Sequence, residues 1–274
     1  MVGSPTGRNP GAAATSGGYG RAPMEPGRFL ELLEREGTRL TEAARRGELD
    51  APVPTCPAWT VGDCVAHTAD AYQHKIACMR LQRQPDEYPG EPPPGVDVVD
   101  WFDSSLAALL AELRDRGPAA PSYTWWPADQ TVGFWYRRMA QETAVHRVDV
   151  EDARGEPTPI DADLAIDGID EVLDVFMSDD WGAVTPKEWG GVDRHAGAGK
   201  TIAVRSGGLL WRSTLGADSI ALARGDGPAD ASVSGDPEAV LLWLWGRRAD
   251  AVVELAGEPS VLAAFRDRLR IATQ

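Results

Sequence analysis

The sequence holds few cysteines: only Cys56, Cys64 and Cys78. An odd number without regular spacing excludes a disulfide framework and points to a reducing compartment. Positive charge is also short. Basic residues number 27 against 42 acidic ones, for a net charge of −15. So acidic a chain is repelled by phosphate backbones, which argues against a nucleic-acid partner. No apolar run reaches the roughly 18 residues of a membrane span, so no membrane partner is expected. No apolar stretch follows Arg8, so no secretory leader is expected, and the expected location is the cytoplasm.

What is present is ordinary globular material. The 274 residues are 43% hydrophobic and 25% charged, enough for one large domain or two small ones. Charge divides the chain. Residues 1–147 carry 15 basic and 19 acidic residues, and residues 148–274 carry 12 and 23, or −4 against −11. This predicts a flexible tail over 1–23, a helical domain over 24–155 and a smaller α/β domain over 156–274.

Apolar spacing predicts helices from Pro26 to about Arg46, after Thr60, over 97–116 and over 131–152. Thr60 is a fitting N-cap with Asp63 three residues on. Val53 to Trp59 is an extended connector, because its prolines bar the preceding residues from helical angles. Residues 84–95 form a proline-rich loop. Four helices with substantial connections suggest a bundle. The second half opens with a predicted helix over 161–177, aspartates outward. Short β-like runs follow at 201–205, 209–214, 219–223, 231–234 and 251–255, with helices at 236–245 and 259–271. Gly207-Gly208 suits a hairpin turn.

Four histidines occur: His67, His74, His146 and His195. Glu142 and His146 stand four apart, so they share a helix face, and Trp135 and Met139 extend that face as an apolar stripe. A carboxylate pointing inward is costly unless it is paired or bound to a cation. Two readings stand at this level. Glu142 could pair with a buried arginine while His146 is a hydrogen-bonded core histidine, or both could hold a divalent metal. A third ligand would come from elsewhere, and His67, mid-helix beside Cys64 and Thr68, could face the same interior. Such a His-Glu-His set leaves a fourth position open, as catalytic zinc sites do. His74 reads as a partly exposed histidine and His195 as an exposed loop residue.

The run from Val53 through Pro54-Thr55-Cys56-Pro57-Ala58-Trp59 to Val61, followed by Val65-Ala66-His67, resembles the N-terminal signature of the mycothiol-dependent maleylpyruvate isomerase family. That family is a branch of the DinB-like four-helix metalloproteins. The run Arg138-Met139-Ala140-Gln141-Glu142-Thr143-Ala144-Val145-His146-Arg147 resembles its second signature, and Leu242-Trp243-Leu244-Trp245-Gly246-Arg247 its last. The resemblance covers about residues 25–270. Ala58 stands where the family usually has glycine.

The resemblance implies an α+β protein: a DinB-like four-helix bundle followed by a domain similar to sterol-carrier folds. It implies zinc held by His67, Glu142 and His146, with mycothiol, a low-molecular-weight thiol, as cosubstrate. Another divalent transition metal would suit the same ligands. The implied chemistry is attack of the activated thiol on a small electrophilic substrate, as a cis-trans isomerase or a thiol S-transferase. Arg247, at the family position and the end of an apolar helix, is the first candidate catalytic arginine for a substrate carboxylate, and Arg138 the second. Three of the 27 basic residues are lysine, leaving 24 arginines; this composition suits a GC-rich genome. Two alternatives remain: a metal-hydroxide hydrolase, or a non-catalytic module that binds or senses a small molecule.

Overall fold

The computed structural model describes residues 24–86, 90–177 and 190–273. The expected tail lies outside the described residues. Helix α1 (Pro26–Arg46) opens on a proline whose ring presets the helical φ and whose missing N–H is no loss in the first turn. Phe29, Leu32, Leu33, Leu40, Ala43 and Ala44 recur every three or four residues and are buried. The extended connector is observed, and it is also paired. Strand β1 (Pro52–Val53) runs antiparallel to β2 (Cys56–Thr60) as a small hairpin. Helix α2 (Val61–Leu81) starts on a complete capping box: the Asp63 N–H donates to Thr60 Oγ1, and the Thr60 N–H donates to the Asp63 carboxylate. Helices α3 (Val98–Arg116) and α4 (Val132–Asp152) complete the bundle. Helix α1 packs along α4 and α2 along α3, while α2 also lies against α4. That last pairing brings residues from two distant parts of the chain face to face.

Helix α5 (Ala162–Glu171) runs into a wider π-helical turn, Val172–Phe176, instead of continuing as the single α-helix expected over 161–177. The extra residue in that turn keeps Val172, Leu173 and Val175 buried and leaves Phe176 at the wall of a cleft. The aspartates of this segment are not a solvated face either. Asp161 and Asp163 pair with Arg28 of α1, and Asp167 and Asp170 with Arg137 of α4. They tie the second half of the chain to the bundle.

The second half holds a five-stranded mixed sheet of β3 (Thr201–Ser206), β4 (Leu209–Leu215), β5 (Ile220–Arg224), β6 (Ala231–Ser234) and β7 (Glu254–Gly257), in the order β5-β4-β3-β6-β7. Only β3 and β6 are parallel neighbours. The β3–β4 turn uses Gly207 and Gly208 at φ of 56° and 79°, a left-handed pair that side chains disfavour. Strand β7 begins at Glu254, later than expected, because residues 250–252 form a 3-10 turn held by Asp250, which accepts from the Trp243 indole at 2.8 Å. Helix α6 (Pro237–Leu244) packs on α5, and α7 (Pro259–Ala272) on β3 and β6. The fold is thus α+β, a four-helix bundle joined to a smaller α/β unit. Among the described residues no helix is long and apolar enough to cross a membrane.

Candidate metal centre and cleft

Helix α4 places Glu142 and His146 one turn apart, and the neighbouring α2 brings His67 opposite them. His67 Nε2 lies 3.2 Å from Glu142 Oε1, and His146 Nε2 lies 3.4 Å from the same oxygen. The three donor atoms all fall within 4.8 Å of one another. Side-chain exposure is 42% at His67, 17% at Glu142 and 8% at His146, so the cluster opens on its His67 side. The opening meets a cleft of about 770 Å³.

The pairing of Glu142 with a buried arginine is observed on one of its oxygens. Oε2 accepts from Arg138 Nη2 at 2.7 Å, while Oε1 faces the two imidazoles. Burial pushes this carboxyl up, but the hydrogen bonds from His146 and His67 and the charge of Arg138 outweigh it and hold it well below its usual range. Burial pushes His146 down, and its hydrogen bonds with the Asp149 and Glu142 carboxylates lift it well above its usual value. His146 Nδ1 sits 3.0 Å from Asp149 Oδ2. A proton kept on Nδ1 by that carboxylate makes Nε2, which faces Glu142 Oε1, the nitrogen that would give up its proton to bind a cation.

Asp149 is itself fixed. Arg247 donates to it from Nε at 3.1 Å and from Nη2 at 3.0 Å, and the Thr55 hydroxyl donates at 2.9 Å. Burial raises the Asp149 carboxyl, but His146 and Arg247 hold it far below the carboxylate range. The local sequence explains how Arg247 arrives. Helix α6 ends with the Gly246 N–H bonded to Trp243 O and the Arg247 N–H to Leu242 O, with Gly246 at φ 69°. This double closure needs a left-handed residue, and it turns the chain so that Arg247 enters the cleft wall.

The chemistry of the donor set suits a four-coordinate ion. Bonds of about 2.0–2.2 Å in tetrahedral array separate neighbouring donors by about 3.3–3.6 Å, close to the two spacings from Glu142 Oε1 to the imidazoles. Cys64, His146 and Asp149 form a second compact group. There the Asp149 oxygens are occupied by Arg247 and Thr55, and Cys64 Sγ lies 3.6 Å from His146 Nδ1, so the group serves as a support for His146. The Trp59 ring flanks both imidazoles, with centroids at 4.8 and 5.8 Å.

Of the two candidate arginines, Arg247 lines the cleft with its guanidinium on Asp149, Trp245 O and Cys56 Sγ. Arg138 is buried, with one arm on Glu142 and the other on the fully buried Glu171 of α5. His74 is buried, not partly exposed as expected, because its turn of α2 faces Cys78 and the Lys75 amine. His195 is an exposed loop residue. Asp149 escaped the sequence reading although it follows His146 by three residues on the same face. Glu171 gave no local signal, and Trp59 stood in the N-terminal signature with no role assigned to it.

A four-helix bundle with a His-Glu-His cluster at its mouth is thus joined to a mixed-sheet unit that supplies Arg247 to the same cleft. The N-terminal domain model of mycothiol maleylpyruvate isomerase matches residues 30–151, and the C-terminal domain model of the same family matches residues 163–264. Together they span most of the chain, and the chain belongs to this family. No curated protein matches the sequence with significance. The crystal structure of the mycothiol-dependent maleylpyruvate isomerase aligns over 86% of this chain and 95% of its own, with TM-score 0.54 and 14% identity. A histidine-to-alanine mutant of that protein aligns over the same shares at TM-score 0.53 and 14% identity. At that identity the likeness is one of fold.

Proposed function

We propose that the protein activates a low-molecular-weight thiol, mycothiol, on a metal held by His67, Glu142 and His146, and directs it at a small electrophile as a cis-trans isomerase or S-transferase. The carrying observation is the convergence of three donors from two helices on one open-sided point facing a cleft. Zinc, or another divalent ion suited to these ligands, supplies the positive charge that favours the thiolate form of an incoming thiol at neutral pH.

The chain's own residues divide the remaining work. Asp149 keeps the His146 proton on Nδ1, and Arg247 and Thr55 keep Asp149 in place. Arg138 occupies Glu142 Oε2, so Oε1 alone turns to the imidazoles, and Glu171 anchors Arg138 from behind. Arg138 therefore acts as a positioning residue, while Arg247 at the cleft wall is the arginine a substrate carboxylate can reach. Trp59 shields one side of the imidazole pair from water.

Metal analysis of the purified protein and its Glu142→Gln variant, followed by thiol titration of a cobalt-loaded sample, tests this reading. Near-stoichiometric metal in the wild type, its loss in the variant and a thiol-dependent absorption change are expected. Four protein ligands with no response to thiol would favour a structural metal in a binding module. Turnover without any thiol requirement would favour hydrolysis.

A further inference from the structure

The cleft wall away from the imidazoles is aromatic. Trp125, Phe176 and Trp245 line it, with Lys75 from α2. Trp125 remains 43% exposed, although Phe134, Trp135 and Phe176 brace its ring at centroid distances of 4.8, 5.3 and 6.3 Å. Among the described residues the other exposed large hydrophobics are aliphatic: Leu81, Val96 and Val252. An exposed indole at a cleft wall, held in place by neighbouring rings, can serve as a stacking platform. Beside it the Lys75 amine sits 5.5 and 5.4 Å from the Trp125 and Trp135 ring centroids, and it lies 2.9 Å from His74 Nδ1. Lys75 follows His67 by eight residues, about 12 Å along the helix axis.

Resting on the thiol-activation reading, we propose that the electrophile carries an aromatic ring and an anionic group, the ring against Trp125 and the negative group at Lys75. The reacting carbon then lies toward His67 and Glu142. Asp70, the carboxylate on the same wall, accepts from the Gly90 N–H. A short dianion without a ring would leave the aromatic wall unused, whereas an aromatic anion meets both the ring faces and the ammonium.

Calorimetric titration of the full chain, as purified, with 2-naphthoate, maleate and 2-naphthalenemethanol tests the assignment. Naphthoate is expected to bind about tenfold more tightly than maleate, and Trp125→Ala to weaken it about fivefold. Lys75→Gln is expected to weaken naphthoate about tenfold while leaving naphthalenemethanol within about twofold, with Lys75→Arg restoring naphthoate. That charge-selective pattern separates recognition from a folding defect. Maleate binding as tightly as naphthoate, or either of the first two variants binding naphthoate like wild type, overturns the proposal. Repeating the titrations after chelation separates this result from the metal reading. Loss of the thiol response with these binding differences intact would count against thiol activation alone.

Discussion

Two buried charge clusters lie on neighbouring residues of α4, and they are built for different ends. Arg147 is fully buried and closed off. It donates to Glu36 at 2.8 Å and to Glu151 at 2.8 Å, and Thr158 O accepts a further bond. One residue earlier, His146 belongs to a cluster whose nitrogens and one carboxylate oxygen converge on a point open to the cleft. Burial of charge on its own therefore does not single out a candidate site; what singles this one out is convergence of metal-type donors next to open space.

Breaking the closed cluster should have the largest effect on stability. Arg147→Met leaves Glu36 and Glu151 with reduced compensation in the interior, and a loss of about 3 kcal/mol is expected in urea unfolding, with metal content per folded chain unchanged. The open cluster should behave in the opposite way. Glu142→Gln should lower metal affinity at least about 100-fold while costing no more than about 1 kcal/mol of stability, because Arg138 keeps Glu171. Metal titration and urea unfolding of the same variant give both values. A smaller effect is expected one step back: Asp149→Asn should weaken metal binding by about 10- to 100-fold by loosening His146, without abolishing it.

The smallest expected effect comes from a third buried base. Burial, reinforced by the charge of Lys75, pushes His74 down to about 4 from its ordinary 6.5. In the unfolded chain the imidazole takes up a proton first as pH falls. Stability from this group is therefore intact above about pH 6.5 and falls progressively toward pH 4. Thermal unfolding midpoints measured across that window should decline, and His74→Gln should flatten the decline.

The fold was largely legible because helix periodicity, caps and turn glycines are local signals. Pro26, the Thr60–Asp63 box and Gly207-Gly208 each act where they stand. The proximity of the candidate trio was legible for the same reason in part: Glu142 and His146 share a face by spacing, and the family signature supplied His67. The supports were not. The partner of Arg138, Glu171, lies 33 residues away on another helix, and the partner of Asp149, Arg247, lies 98 residues away. Such pairs depend on how α5 and α6 dock on the bundle, which no local pattern encodes. The π-helical turn that sets Phe176 in the cleft wall, and the pairing of the half-buried aspartates after Pro159 with Arg28 and Arg137, have the same origin.

X-ray absorption on the zinc-loaded protein, with and without mycothiol, tests the central claim most directly. The account predicts two imidazole nitrogens and an oxygen around the ion, with a sulfur scatterer at about 2.3 Å once thiol is added. Four protein donors that persist unchanged in the presence of thiol, or no ordered ion at all, would contradict it.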